Sequence, residues 1–253
     1  MDADPSPFSF SHAGQCPVCE QPTVFTADGP YFRSTLKCGN CDSRPRQRAL
    51  MHVLTLYFPK WRELFIHEGS PGWDRLSIRL ASECRKYVAS QYDTSRDWGC
   101  TVENSRMPCK KYRCETLEKQ TFADSSFDLV ITQDVFEHVF RPDLAISEIA
   151  RTLKPGGATV MTVPIVKRMN RSVRRASFEG SEVVNILPAE YHGNPLSKDG
   201  SLVTIDWGFD ICAYLQHHSG LSFLMLQIDQ INFGIRAALN EVLIGVKRPI
   251  PDL

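Results

Sequence analysis

The chain has 253 residues, 42% of them apolar and 23% charged, with 29 basic side chains against 29 acidic ones. That length holds one large domain and a small accessory one, and the composition is that of a globular chain, not a disordered or fibrous one. The zero charge balance argues against bare nucleic acid as the main partner, and no apolar run approaches membrane-spanning length, so a cytoplasmic protein is expected.

Residues 1–14 begin MDADPSPFSF, acidic and proline-containing where a secretory leader would be basic and then apolar, and they are expected to be flexible. Two Cys-x-x-Cys pairs follow, Cys16 with Cys19 and Cys38 with Cys41, separated by residues 20–37. This is zinc-ribbon spacing, because each pair presents two thiolates at one turn and four sulfurs close a tetrahedron around zinc. Residues 15–43 are therefore read as a small zinc ribbon. So short a segment has little core, and the metal would supply much of its folding free energy. Of the remaining cysteines, Cys100, Cys109 and Cys114 lack paired spacing, and with Cys84 and Cys212 they are read as reduced thiols.

Arg44–Phe58 carries Ala49, Leu50, Val53, Leu54, Tyr57 and Phe58 on one stripe, with Pro45 near its start and Pro59 after its end. It is expected to be a helix that links the ribbon, through residues 44–60, to the main domain. Arg44, Arg46 and Arg48 make its start basic, as a solvated face or a phosphate contact. Next come a strand over Arg62–His67, a loop Glu68-Gly69-Ser70-Pro71-Gly72, and a helix over Trp73–Cys84. A strand over Lys86–Gln91, loop over 93–107 and a short strand over Lys110–Cys114 complete this half.

Phe127–Thr132 is an apolar run of strand length. Asp143–Lys154 places Ala145, Ile146, Ile149, Ala150 and Leu153 on one helical stripe, and Pro155, Gly156 and Gly157 stop it before a second apolar run, Ala158–Val163. Strand, crossover helix and strand make one right-handed unit of a parallel sheet. The connection from 164 to 206 is long for a compact domain, which marks function or a lid. It holds Lys167, Arg168, Arg171, Arg174 and Arg175, then Tyr191-His192-Gly193-Asn194-Pro195. A helix over Asp206–His218 and strands over Ser222–Ile228 and Glu241–Val246 finish the chain.

The segments FADSSFDLV, DVFEHV and ARTLKPGG, in this order and spacing, resemble the second half of a class I S-adenosylmethionine-dependent methyltransferase of type 11. The resemblance extends from about Trp61 to Arg248, so 61–253 would be the methyltransferase domain. It implies an α/β, doubly wound, mostly parallel, seven-stranded Rossmann-like sheet with the cofactor across the carboxyl ends of its strands. His67 stands where the family keeps an acid, Gly69 and Pro71 where it keeps its first two glycines, and Glu68 is one place off. His67, Glu68, Gly69, Ser70, Pro71 and Gly72 would follow the methionine part of S-adenosylmethionine, and Ser90 and Gln91 the ribose. Glu115, Thr116 and Leu117 would lie near the adenine, and Gln133, Asp134, Val135 and His138 would enter from the fourth strand. His138 either shapes the loop beside the cofactor or acts on a proton.

The expected reaction is methyl transfer to a small-molecule hydroxyl or amine, such as a sugar or a secondary metabolite. The insertion at 165–206 would cover the acceptor, with His192 as general base for a hydroxyl because imidazole titrates near neutral pH. The alternatives are an RNA methyltransferase that uses the ribbon and basic patches, and a methyltransferase-like module that binds without transferring.

Overall fold

A computed structural model of the protein describes residues 8–249 except 106, 109, 181, 195 and 197, so Cys109 and Pro195 lie outside the described residues. Strand β1 (Phe10–Gln15) pairs antiparallel with β2 (Pro22–Ala27), Phe10 opposite Ala27, and β3 (Lys37–Cys38) adds to β2. The expected flexibility through residue 14 therefore does not hold for Phe10–Gly14. A polar strand, FSHAGQ, is ordered here because β2 takes its hydrogen bonds and because Gly14, lacking a Cβ, lets it lie against the backbone of Asn232.

A one-turn helix, α1 (Phe32–Thr35), leads into β3, and α2 (Pro45–Tyr57) follows. Pro45 sits in the first turn of α2, and the Gln47 side chain accepts from the Arg44 N–H at 2.7 Å. The buried face of α2 is broad: Ala49, Leu50, Met51, Val53 and Leu54 are all inaccessible, since ribbon and sheet pack on it from two sides.

Arg48, expected to face solvent or phosphate, is instead fully buried. It donates to the carbonyls of Leu36 (3.0 Å), Gly234 (2.8 and 3.0 Å) and Ser43, and its guanidinium lies 4.8 Å from the Phe25 ring centre. Burial pushes its pKa down to about 10, still charged at neutral pH. One side chain thus joins the ribbon, α2 and the C-terminal segment. Arg48→Ala should cost about 3 kcal/mol or more, because it strands several buried carbonyls, and a fall in denaturation midpoint at unchanged m-value would show it.

After a 3₁₀ turn at Trp61–Glu63 the chain builds β4 (Phe65–Gly69), α3 (Arg75–Glu83), β5 (Lys86–Gln91), β6 (Thr101–Glu103), β7 (Lys111–Cys114), β8 (Phe127–Gln133), α4 (Pro142–Thr152) and β9 (Leu153–Thr162). An insertion supplies β10 (Val173–Arg174), β11 (Ala176–Glu179), β12 (Glu182–Asn185), β13 (Tyr191–His192), β14 (Ser201–Leu202) and β15 (Ile205–Asp206). The chain then ends with α5 (Ile211–Ser219), β16 (Ser222–Leu226) and β17 (Val242–Val246).

The main sheet has eight strands in the order β16-β17-β9-β8-β4-β5-β7-β6, where seven were expected. The added strand is β6, which lies in the stretch read as loop. Three residues, TVE, carry no periodic signal, and they become a strand only by pairing with edge strand β7. Strands β9, β8, β4, β5 and β7 run parallel, and β17 and β6 are antiparallel to their neighbours.

Alternation sends Leu129 and Ile131 to the face covered by α2 and α3 and Val130 to the face covered by α4 and α5, and a register shift between Phe127 and Leu129 puts Phe127 on the Val130 side. The sheet is therefore covered on both sides, an α/β Rossmann-like architecture with a mostly parallel centre. Helix α5 starts at Ile211, later than the expected Asp206, because Ile205 and Asp206 pair with Arg174 and Val173. Gly220, at φ 70°, closes it. No helix among the described residues is long and apolar enough to cross a membrane.

Candidate active site

A cavity of about 910 Å³ opens beyond the carboxyl ends of β4, β5, β7 and β8, where a parallel sheet of this kind takes its ligands. Its β4 side is the loop that precedes α3. Ser70 and Gly72 line it, as does Asp74, whose carboxylate caps α3 by accepting from the N–H groups of Leu76 (2.9 Å) and Ser77 (3.0 Å).

His67, Glu68, Gly69 and Pro71, expected beside the ligand, do not line the cavity. The two-residue period of β4 turns His67 into one core and Glu68 into the other. His67 is fully buried, its ring against Phe122 and Phe127 and its Nε2 2.7 Å from Ser90 Oγ, and burial pushes its pKa down to about 3, so it is neutral. Glu68 accepts from Ser77 Oγ (2.7 Å), Tyr87 Oη (2.7 Å) and Gln133 Nε2 (2.9 Å), and burial pushes its pKa up to about 7. A Cβ on Gly69 would press on Leu117 and Thr132, at 3.2 and 3.3 Å. Pro71 contributes a carbonyl that accepts from Gln91 Nε2 at 2.8 Å. These four residues shape the loop from behind.

Ser90 and Gln91, at the tip of β5, line the cavity together with Tyr92. Glu115 also lines it, but its carboxylate is already engaged. It accepts from Arg113 Nε (2.7 Å), Thr121 Oγ1 (2.5 Å) and the Thr121 N–H (2.8 Å), closing the 116–121 turn. Thr116, Leu117 and Glu118 are left to face a ligand there.

Gln133, at the end of β8, and Asp134 and Val135 just after it line the cavity. Asp134, at φ 51°, accepts from Thr162 Oγ1 (3.0 Å) and from Arg33 (2.7 Å), and Arg46 Nε lies 3.1 Å away. Arg33 belongs to α1 and Arg46 to α2, and with Tyr31 they bring the ribbon into the cavity wall. Nothing local in the sequence marks this, since a contact 101 residues apart has no pattern to read.

The insertion closes the other end. Its backbone is tied to the loop after β8: Thr204 donates through N–H and Oγ1 to the Glu137 carbonyl (2.7 and 3.1 Å) and through Oγ1 to that of Val139 (2.8 Å). Strands β13 and β14 thereby set His192 opposite Glu137 and His138. His192 Nδ1 is 3.7 Å from Glu137 Oε1, and its Nε2 is 3.5 Å from Glu190 Oε1. Glu137 raises the pKa of His192 above its ordinary value against the effect of burial, and Glu190 adds to the rise. His138 donates from Nδ1 to the Leu202 carbonyl at 2.9 Å, which fixes its ring edge-on to His192 at 5.0 Å. The wall is completed by Phe140 stacked on Phe178 at 4.1 Å.

The basic residues of the insertion are mostly used internally. Arg168 pairs with Glu241, Arg174 donates to the Phe140 carbonyl, and Arg175 pairs with Asp206 and Glu190.

Away from the cavity, the Sγ atoms of Cys16, Cys19, Cys38 and Cys41 lie within 4.8 Å of one another. Cys16 and Cys41 are 3.8 Å apart, and Cys19 and Cys38 are 3.9 Å apart. A tetrahedron with zinc–sulfur bonds of about 2.3 Å has edges of about 3.8 Å, so the donor set fits that ion. Cys100 and Cys114 join no such group among the described residues.

The family model described as a methyltransferase domain matches residues 71–161. A ubiquinone biosynthesis O-methyltransferase of Agrobacterium fabrum is 29% identical over 143 residues, 54% of this chain and 53% of that protein. Its counterpart in Chelativorans sp. is 35% identical over 81 residues, 32% and 31% of the two chains. The chain thus spans about half, or less, of these relatives. Among solved structures, an S-adenosylmethionine-dependent methyltransferase of Thermotoga maritima superposes with TM-score 0.50 at 14% identity over 80% of this chain and 89% of that one. One of Mesorhizobium loti gives 0.50 and 14% over 79% and 98%. At such identities the likeness is one of fold.

Proposed function

We propose that the protein is a class I S-adenosylmethionine-dependent methyltransferase acting on a small-molecule hydroxyl or amine, with a structural zinc in its N-terminal ribbon. The observation that supports this best is the cavity itself. One end is framed by the loops after β4, β5, β7 and β8, and the other is enclosed by a folded insertion that carries an imidazole between two carboxylates. The matched methyltransferase domain covers the strands that build the first end. Two relatives are named as methyltransferases acting on oxygen, which agrees with a small hydroxylated acceptor.

In this reading the cofactor supplies an electrophilic methyl group, and the chain supplies alignment, exclusion of water and a proton acceptor. Ser70 and Gly72 would hold the methionine part, Ser90 and Gln91 the ribose, and Thr116 and Leu117 the adenine. His67, Glu68 and Glu115 hold those loops in shape. On the acceptor side His192 takes the proton that the nucleophile loses, and Glu137 and Glu190 stabilise the imidazolium formed. His138, committed to the Leu202 carbonyl, positions His192 and Glu137. The four thiolates of Cys16, Cys19, Cys38 and Cys41 would fill the zinc's coordination sphere and leave no open position for chemistry.

Gly72→Val tests the cofactor end, because Gly72 lines the cavity and a Cβ there would stand 3.2 Å from the Asp74 carboxylate, which lines it too. Affinity for S-adenosylhomocysteine, measured by calorimetry, should fall about tenfold or more, a loss of about 1.4 kcal/mol. Wild-type protein that binds no S-adenosylhomocysteine would overturn the reading.

A further inference from the structure

Where the loop after β8 meets the insertion, a buried carboxylate stands without a hydrogen bond. The Glu137 side chain is 1% exposed, and neither of its oxygens has a hydrogen-bond donor among the described residues. A carboxylate so placed is unfavourable unless a cation faces it. Two imidazoles do: His138 Nε2 and His192 Nδ1 each lie 3.7 Å from Glu137 Oε1. That is too long for a hydrogen bond. It is close to the spacing of two ligands on one metal ion, about 3.4 Å for a tetrahedron with bonds of about 2.1 Å. One ligand atom from each of the three residues lies within 4.8 Å of the others, and all three residues line the cavity.

The far sides of both rings are occupied in the way that orients metal-binding imidazoles. His138 donates from Nδ1 to the Leu202 carbonyl at 2.9 Å, which leaves its lone pair on Nε2, the nitrogen toward Glu137. His192 turns Nε2 toward Glu190 Oε1 at 3.5 Å, which favours the proton there and the lone pair on Nδ1. Leu202 and His192 belong to one hairpin, β13–β14, so a single short element sets both rings.

We propose that Glu137, His138 and His192 form a site for one exchangeable divalent transition-metal ion, its remaining positions open to the cavity. Two imidazoles and a carboxylate suit zinc, cobalt or iron better than magnesium or calcium, which favour oxygen donors. The site differs in kind from the ribbon. Four thiolates close that sphere, whereas three ligands here leave room for water or for an oxygen of a bound molecule. The ion and a proton compete for His192, so the imidazole is the proton acceptor described above only while the ion is absent. Ion binding itself does not depend on which reaction the cavity carries out.

The test uses the intact chain, dialysed until elemental analysis finds the ribbon's zinc alone. Titration with cobalt(II), followed by calorimetry and visible absorption, should show one further ion per chain. Its spectrum should hold ligand-field bands without the thiolate charge-transfer band that entry into the ribbon would give. Glu137→Gln, His138→Ala and His192→Ala should each weaken this binding about 100-fold or more, since loss of an outer partner alone costs about 10–100-fold. Glu190→Gln, which removes such a partner, should weaken it about tenfold at unchanged stoichiometry. Ribbon zinc content and melting temperature show that each variant is folded. A wild-type chain that takes up no second ion, or undiminished uptake in all three ligand variants, would overturn the site. So would a cobalt spectrum of thiolate character alone, which would place the ion in the ribbon.

Discussion

Cys38→Ser should abolish zinc binding and lower the melting temperature by many degrees. Structural zinc contributes apparent free energies of about 10–16 kcal/mol in small zinc-bound folds, and the ribbon has little else. Its own core is Val18, Phe25, Ala27 and Leu36 around the four cysteines, and this core is continuous with Ala49, Leu50, Val53 and Leu54 of α2 and with Ile66 and Leu129 of the sheet. Loss of the metal would therefore expose one face of α2 as well as the ribbon. Elemental analysis should find one zinc per wild-type chain and none in the variant. Metal-free wild-type protein, or a Cys38→Ser variant that melts with wild type, would remove the assignment.

His192→Ala should reduce turnover about 10²–10⁴-fold once an acceptor is in hand, with S-adenosylhomocysteine affinity nearly unchanged. The expected separation follows from its place: His192 sits on β13 of the insertion, within 3.7 Å of Glu137 and 3.5 Å of Glu190. The pH profile carries the same information. Only neutral imidazole accepts a proton, and Glu137 holds the pKa of His192 above the ordinary value near 6.5. Activity should rise as pH passes that raised value, and Glu137→Gln should move the acidic limb to lower pH. The stability effect runs the opposite way. A raised imidazole pKa stabilises the fold fully below the unfolded value and ceases to do so as pH rises through the folded one. For a side chain 40% exposed that term is small. Turnover near wild type in His192→Ala would leave His192 as a support of the β13–β14 turn.

Much of this molecule is local in origin. The Cys-x-x-Cys pairs and the alternation of Leu129, Val130 and Ile131 act over a few residues, within the reach of backbone sterics and side-chain periodicity, whereas α4 ends at Thr152, ahead of the expected stop, and Pro155-Gly156-Gly157 fall within β9. The pairs and the alternation suffice for the ribbon, the parallel unit and the strand ends at which a cleft must open. Which side chains face that cleft is another matter. His67 and Glu68 sit at the right strand end but point away, because the pleat of β4 directs each into a core, and Glu115 reaches the right wall with its charge already taken by Arg113 and Thr121. Arg33, Arg46 and Asp134 meet only when the ribbon docks, as do His192 and Glu137 when Thr204 pins the insertion to the loop after β8. Such encounters join residues tens of positions apart, and no period or spacing encodes them. They arise from the packing of finished elements, and that packing also made a strand of Phe10–Gln15 and buried Arg48.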